Sequence, residues 1–245
     1  MRVFVLLSIL IVWSIPAQAD FAAGMGAYEA GDFVAAREAW HPLAEAGDPR
    51  AQYWMGDLYR FGKGVMQDFK AAMGWYKQAA RQTEDGDMLR RAAYALGYMV
   101  EDGSGTPKDL DKAECLYRVA AENGYASGQW AYFLLLRNKP GLDFTALDWV
   151  ERAAAQGFPR ALVRVGQLEI LNPYSENDDG YMEIVIAAST GNEEARSVVN
   201  RLQTSNDPKI LASLKEGERR ARDWRPDLEN IPDPPIPVPE HCWTD

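Results

Sequence analysis

Two histidines, His41 and His241, and two cysteines, Cys115 and Cys242, are the residues whose types come closest to metal or nucleophile chemistry. Zinc is held by Cys, His or carboxylate donors that recur at short, patterned spacings. Neither histidine has such a donor at ligand spacing, so no metal centre is expected. The segment Ser175-x-Asn177-x-Asp179-Gly180 has the outline of the front of a calcium loop. Its first ligand is Ser, however, and the place of the bidentate Glu is taken by Ile186, so calcium is not expected either. Gly62-Lys63-Gly64 would suit a phosphate if it followed a strand and if a Ser or Thr after the Lys held magnesium. Helical spacing flanks it on both sides, and Gly64 follows the Lys, which makes it a turn between helices. No Ser sits in a nucleophile elbow and no Cys–His pairing is suggested. Acid pairs such as Asp178-Asp179 and Glu193-Glu194 read as solvated. The sequence therefore predicts no catalytic residue and no cofactor.

The chain opens with Arg2, an apolar run from Val3 to Trp13, and Pro16-Ala17-Gln18-Ala19. A charged start, an apolar core and an Ala-x-Ala site predict a leader over residues 1–19 that is removed, sending the rest to the periplasm or outside the cell. The run is short of the ~20 residues a membrane span needs, and no later segment is apolar enough to supply one. The net charge is −10, and −11 once Arg2 is gone. Acidity without a basic stretch argues against nucleic acid and against docking on anionic lipid.

The elements that must position any binding residue repeat. Ala51-Gln-Tyr-Trp-Met-Gly56 returns as Ala92-Ala-Tyr-Ala-Leu-Gly97, weakly as Ala126-Ser-Gly-Gln-Trp-Ala131, then as Ala161-Leu-Val-Arg-Val-Gly166 and faintly from Ala195. The starts lie 41, 34, 35 and 34 residues apart. A second pattern keeps step: Ala72-x-x-Trp75-Tyr-x-x-Ala79-Ala80 matches Ala113-x-x-Leu116-Tyr-x-x-Ala120-Ala121 and Ala146-x-x-Trp149-Val-x-x-Ala153-Ala154. Two patterns at one period near 34 predict an all-α solenoid of about five helix hairpins over residues 20–202. Small residues such as Gly56 and Gly97 let helices approach closely, while Trp75, Tyr76 and Trp149 fill the wider gaps. The segment from Arg81 to Arg91 is longer than the other linkers, and Arg137–Gly141 and Asn172–Gly180 replace the usual joints. A capping helix is expected over residues 203–225, with Ile210, Leu211 and Leu214 on its apolar side, then a Pro-rich extended tail over 226–245.

Residues Ala51–Ala80 and Ala92–Gly124 resemble the Sel1-like repeat, the longer-looped cousin of the tetratricopeptide repeat. The Ala-x-x-x-[Leu/Met]-Gly start, the Leu58-Tyr59-x-x-Gly62-x-Gly64-Val65 joint and the Trp75-Tyr76-x-x-Ala79-Ala80 helix carry the resemblance. It implies a right-handed solenoid with a concave binding face, serving as a scaffold, adaptor or regulator rather than one shared chemistry. Carrying the tetratricopeptide register over places Tyr53, Asp57 and Arg60, then Tyr94, Tyr98 and Glu101, then Tyr132 and Gln167 on that face. Their expected partner is a protein or peptide, with an envelope sensor or a cell-wall protein as candidates; some periplasmic proteins of this class hold a sensor kinase's outer domain. A hydrolase acting on the cell wall or a β-lactam, and a structural envelope spacer, are the alternatives. Secreted relatives of the β-lactam-binding type carry a disulfide in each repeat, which this chain lacks.

Cys115 takes a second-helix slot held elsewhere by Gly74 and Asp148, which predicts an outward position. In an oxidising compartment its bond to Cys242 would strap the tail across the second full hairpin. Two free thiols, or a bond between chains, are the other states open to it.

Overall fold

The computed structural model describes residues 21–137, 139, 143–171, 179–228 and 235–243. The expected leader, Asn138, Pro140-Gly141, Ser175 and Asn177 of the calcium-like segment, and Ile231–Pro234 of the tail lie outside the described residues. The described chain forms α1 (Phe21–Glu29), α2 (Phe33–Glu45), α3 (Pro49–Phe61), α4 (Phe69–Ala80), α5 (Gly86–Asp102), α6 (Leu110–Glu122), α7 (Ala126–Leu136), α8 (Asp143–Ala155), α9 (Pro159–Leu171), α10 (Asp179–Ser189), α11 (Glu193–Gln203) and α12 (Pro208–Ala221). A single 3-10 turn, Glu240–Cys242, follows, and no strand occurs among the described residues.

Local chemistry sets the helix ends. Asp48, Asp68, Asp85, Asp109 and Asp207 each precede a helix, and their side chains accept backbone N–H bonds from its first turn. These orphan donors would otherwise be unsatisfied, and a carboxylate also suits the positive end of the helix dipole. At the far end Gly62 closes α3 with φ 65°, and its N–H bonds to Leu58 O. Gly62-Lys63-Gly64 is thus a left-handed helix stop. Lys63 is turned away from any cradle: its Nζ donates to Tyr28 Oη at 2.6 Å.

Consecutive helices pack as antiparallel hairpins, each resting on the next. A Cβ on Gly64 would stand 2.6 Å from the backbone of Phe33, and one on Gly105 2.8 Å from Phe69 Cβ, so each joint lies against the start of the previous hairpin's second helix. Trp40, Met55 and Leu58 centre one buried cluster, and a longer one runs from Ala72 to Ala195 and includes Val238 and Cys242. Helix α3 touches α5, and α5 touches α7, more extensively than α4 touches α6. Helices α3, α5 and α7 therefore line the inside of the curve and α4 and α6 the outside, whereas at the C-terminal end α10 lies against α12. Helix α12 closes the row, with Leu214 buried and Gly217 set against Tyr181 and Met182 of α10.

The third repeat lies in a different register from the expected one. Gln52 Nε2 donates to Ala44 O at 3.1 Å, and the same bond recurs from Gln129 to Ala121 O at 3.3 Å. Gln129 is thus the counterpart of Gln52, and Gly128, not Ala126, is the counterpart of Ala51. A Cβ on Gly128 would lie 2.6 Å from Ala120 Cβ, the close approach that defines this position. Glycines with positive φ stand four residues ahead of it in four repeats, at Gly47, Gly124, Gly157 and Gly191.

Candidate functional site: the concave face and the tail strap

The inner stripe of α3 and α5 brings together six of the expected binding residues. Arg60 lies over the Tyr98 ring, 4.7 Å from its centroid, joining one repeat to the next. Tyr98 is 43 % exposed, and Phe61, beside Arg60, is 54 % exposed. Tyr53 and Tyr94 stand half-buried below them, packed on Tyr76 and Tyr117 with centroids 5.6 and 5.7 Å apart. Burial first, then the Asp57 carboxylate and the Tyr125 phenol, holds the Tyr53 hydroxyl well above its ordinary range, so it stays a neutral donor.

Asp57 and Glu101 occupy the stripe, but hydrogen bonds within their hairpins engage them. Tyr76 Oη donates to Asp57 Oδ1 at 2.5 Å, and Tyr117 Oη to Glu101 Oε2 at 2.6 Å. Burial raises the Asp57 pKa, opposed by the Tyr76 bond and by Arg60, Lys63 and Arg91. These acids fix the second-helix tyrosines rather than present free charge.

The expectation for Tyr132 fails. The register shift places it in the buried slot of Met55; it is 9 % exposed and packs edge-on against Trp149 of α8. Gln167 lies at the far end of the row, where its Nε2 donates to Glu194 Oε1 at 3.2 Å. Two residues outside the expected set join the stripe: Arg91 lies 5.8 Å over the Tyr125 ring, and Tyr125 packs at 5.4 Å on Tyr94. Arg91 directly precedes the Ala92 repeat start and Tyr125 follows Gly124. Both positions are legible once the glycine-based register is used.

Behind the solenoid the tail runs back along the loops between hairpins. The Asp227 N–H bonds to Ala155 O at 2.8 Å. Asn123, 1 % exposed, then clamps the main chain of Ile236, accepting from its N–H at 2.7 Å and donating to its carbonyl at 2.9 Å. Val238 is buried, and Cys242 is bonded to Cys115 of α6, with Cα atoms 5.9 Å apart. Cys115 is 9 % exposed because the tail covers its outward slot. Both histidines have a potential donor nearby. His241 Nε2 lies 3.3 Å from Cys115 Sγ, and His41 Nδ1 lies 3.6 Å from the Glu45 carboxylate one helical turn away. No helix among the described residues is long and apolar enough to cross a membrane.

Comparison with known proteins gives the pattern a context. The Sel1 repeat profile matches residues 49–83, 90–125 and 143–158. The ERAD-associated E3 ubiquitin-protein ligase component HRD3B of Arabidopsis thaliana is 34 % identical over 92 residues, covering 38 % of this chain and 14 % of that protein. The chain thus spans about a seventh of the length of that curated relative. The exopolysaccharide production negative regulator of Rhizobium leguminosarum bv. viciae is 28 % identical over 160 residues, 60 % of each chain. Among solved structures, a Sel1 repeat protein from Oxalobacter formigenes superposes with a TM-score of 0.65 at 25 % identity, covering 83 % of both chains.

Proposed function

The chain is a Sel1 repeat protein, and on that premise we propose that it is a non-catalytic scaffold or regulator of the bacterial envelope. Its concave face grips a protein or peptide partner. The observation that carries this reading is the Arg60–Tyr98 pair with the exposed Phe61 ring, on the inside of the curve where two repeats meet. Tyr and Arg are the residue types that concentrate binding energy. They bring large area at little entropic cost, and the guanidinium offers planar donors to a carboxylate or a carbonyl. Tyr53 and Tyr94 extend the stripe as neutral hydroxyl donors, and Arg91 as a further cation.

The leader pattern in Met1–Ala19 supports the periplasm or the outside of the cell as the place of action. The similarity to a negative regulator of exopolysaccharide production supports regulation by holding a second protein. Affinity capture from the native envelope with the Arg60→Ala/Tyr98→Ala variant tests the proposal. A partner held by the unaltered chain should be lost, while Gly74→Arg on the outer helix α4 should retain it. Equal recovery by the double variant would refute the concave assignment.

A further inference from the structure

We infer that Cys115, Cys242 and His241 form a zinc site when their disulfide is reduced. One donor atom from each of the three residues lies within 4.8 Å of the others. In a tetrahedral zinc site, with Zn–S about 2.3 Å and Zn–N about 2.0–2.1 Å, neighbouring donors stand roughly 3.5–3.8 Å apart. The 3.3 Å between His241 Nε2 and Cys115 Sγ is already close to that spacing. The two sulfurs must part to reach that spacing, and opening their bond allows it.

The ligands stay gathered after reduction because the tail has other fastenings. The two Asn123–Ile236 hydrogen bonds and the buried Val238 hold the strand that leads into the Glu240–Cys242 turn. Cys115 is fixed on α6. Lys77, Lys112 and Trp243 line the same small cavity as Cys242.

The chemistry balances. A dithiol reductant gives up two electrons and two protons to the Cys115–Cys242 bond and itself becomes a disulfide. Zinc(II) then displaces both thiol protons and takes a lone pair from the neutral imidazole, leaving a site of net zero charge. Two thiolates and an imidazole are a donor set that suits zinc. His241 is exposed, so water completes the fourth position, and three protein ligands plus water form an open, exchangeable site. The tail would then be fastened in two chemically distinct states and released from Cys115 only when the chain is both reduced and metal-free.

The test is a titration of the full chain, with and without a phosphine reductant, using zinc against a chromogenic zinc indicator. Cobalt(II) replaces zinc in a parallel titration. The reduced chain should take up one equivalent of zinc and the oxidised chain none, and cobalt should show a thiolate charge-transfer band. Loss even of a second-shell partner costs about tenfold or more in metal affinity, so His241→Ala, at an exposed position, should weaken binding by at least that factor. Cys115→Ser should abolish the cobalt band. Equal uptake by reduced and oxidised protein, unchanged affinity in His241→Ala, or a cobalt band that survives Cys115→Ser would each overturn the site.

Discussion

Replacing Gly97 by Val should destabilise the fold through one contact. A Cβ at this position would stand 2.8 Å from Tyr117 Cδ1 and 2.9 Å from Cε1, inside the closest approach that real side chains show. The ring has little room to retreat. Tyr117 is 1 % exposed, and its hydroxyl is held by Glu101 at 2.6 Å. Overpacking of this kind costs about 1–3 kcal/mol. Val gives back only part of the helix propensity that Gly lacks, a few tenths of a kcal/mol. At roughly 2–4 °C per kcal/mol for a chain of this size, the melting temperature should fall by about 2–12 °C. Gly74 on α4 is the internal control, since a Cβ there meets nothing within 4 Å. Gly74→Ala should leave the stability unchanged or raise it by up to about 1 kcal/mol. Thermal unfolding followed by far-ultraviolet circular dichroism reads both. A Gly97→Val chain that melts with the unaltered protein would refute the packing argument.

Further outcomes follow from the two ends of the molecule. Burial, then Glu169, Asp179 and Glu151, pushes the Glu183 carboxyl up to about 8. The folded chain keeps this proton to higher pH than the unfolded chain, so stability is lost as pH rises from the ordinary carboxyl value through about 8. Glu183→Gln should therefore raise the melting temperature more at pH 8.5 than at pH 5.5, and a gain independent of pH would count against the cluster. Asn123→Ala removes the clamp on Ile236 and leaves the tail held mainly by the disulfide. Limited proteolysis should cut the variant's tail faster after reduction while the helices persist, and identical cleavage of the reduced variant and the reduced unaltered chain would contradict the clamp.

The hairpins were legible because their signals are local. Ala and Gly recur where helices approach, Asp precedes helices, and glycines end them, each fixed by a few adjacent residues. The concave stripe was legible in α3 and α5, where the two repeats keep the same spacing and Tyr53, Arg60, Tyr94 and Tyr98 fall on one face. It was lost in α7, because Ala126 imitates a repeat start that Gly128 supplies. The sequence shows small residues at both positions; only the constant four-residue step from Gly124 separates them. Asp57 and Glu101 were legible as polar positions of the stripe, but not as acceptors for Tyr76 and Tyr117. Those contacts join residues 19 and 16 positions apart across a hairpin. The burial of Cys115 and its approach to His241 depend on where the tail lands, 126 residues along the chain. No local pattern encodes that distance.

The central claim is that partner recognition belongs to the inner face. Site-specific photo-crosslinking in the living cell tests it most directly, with a photoreactive phenylalanine analogue placed at Tyr98 or, on the outer helix α4, at Gly74. A discrete protein adduct at position 98 that is missing at position 74 is the predicted result. An adduct at 74 but not at 98, or no adduct at 98, would contradict it.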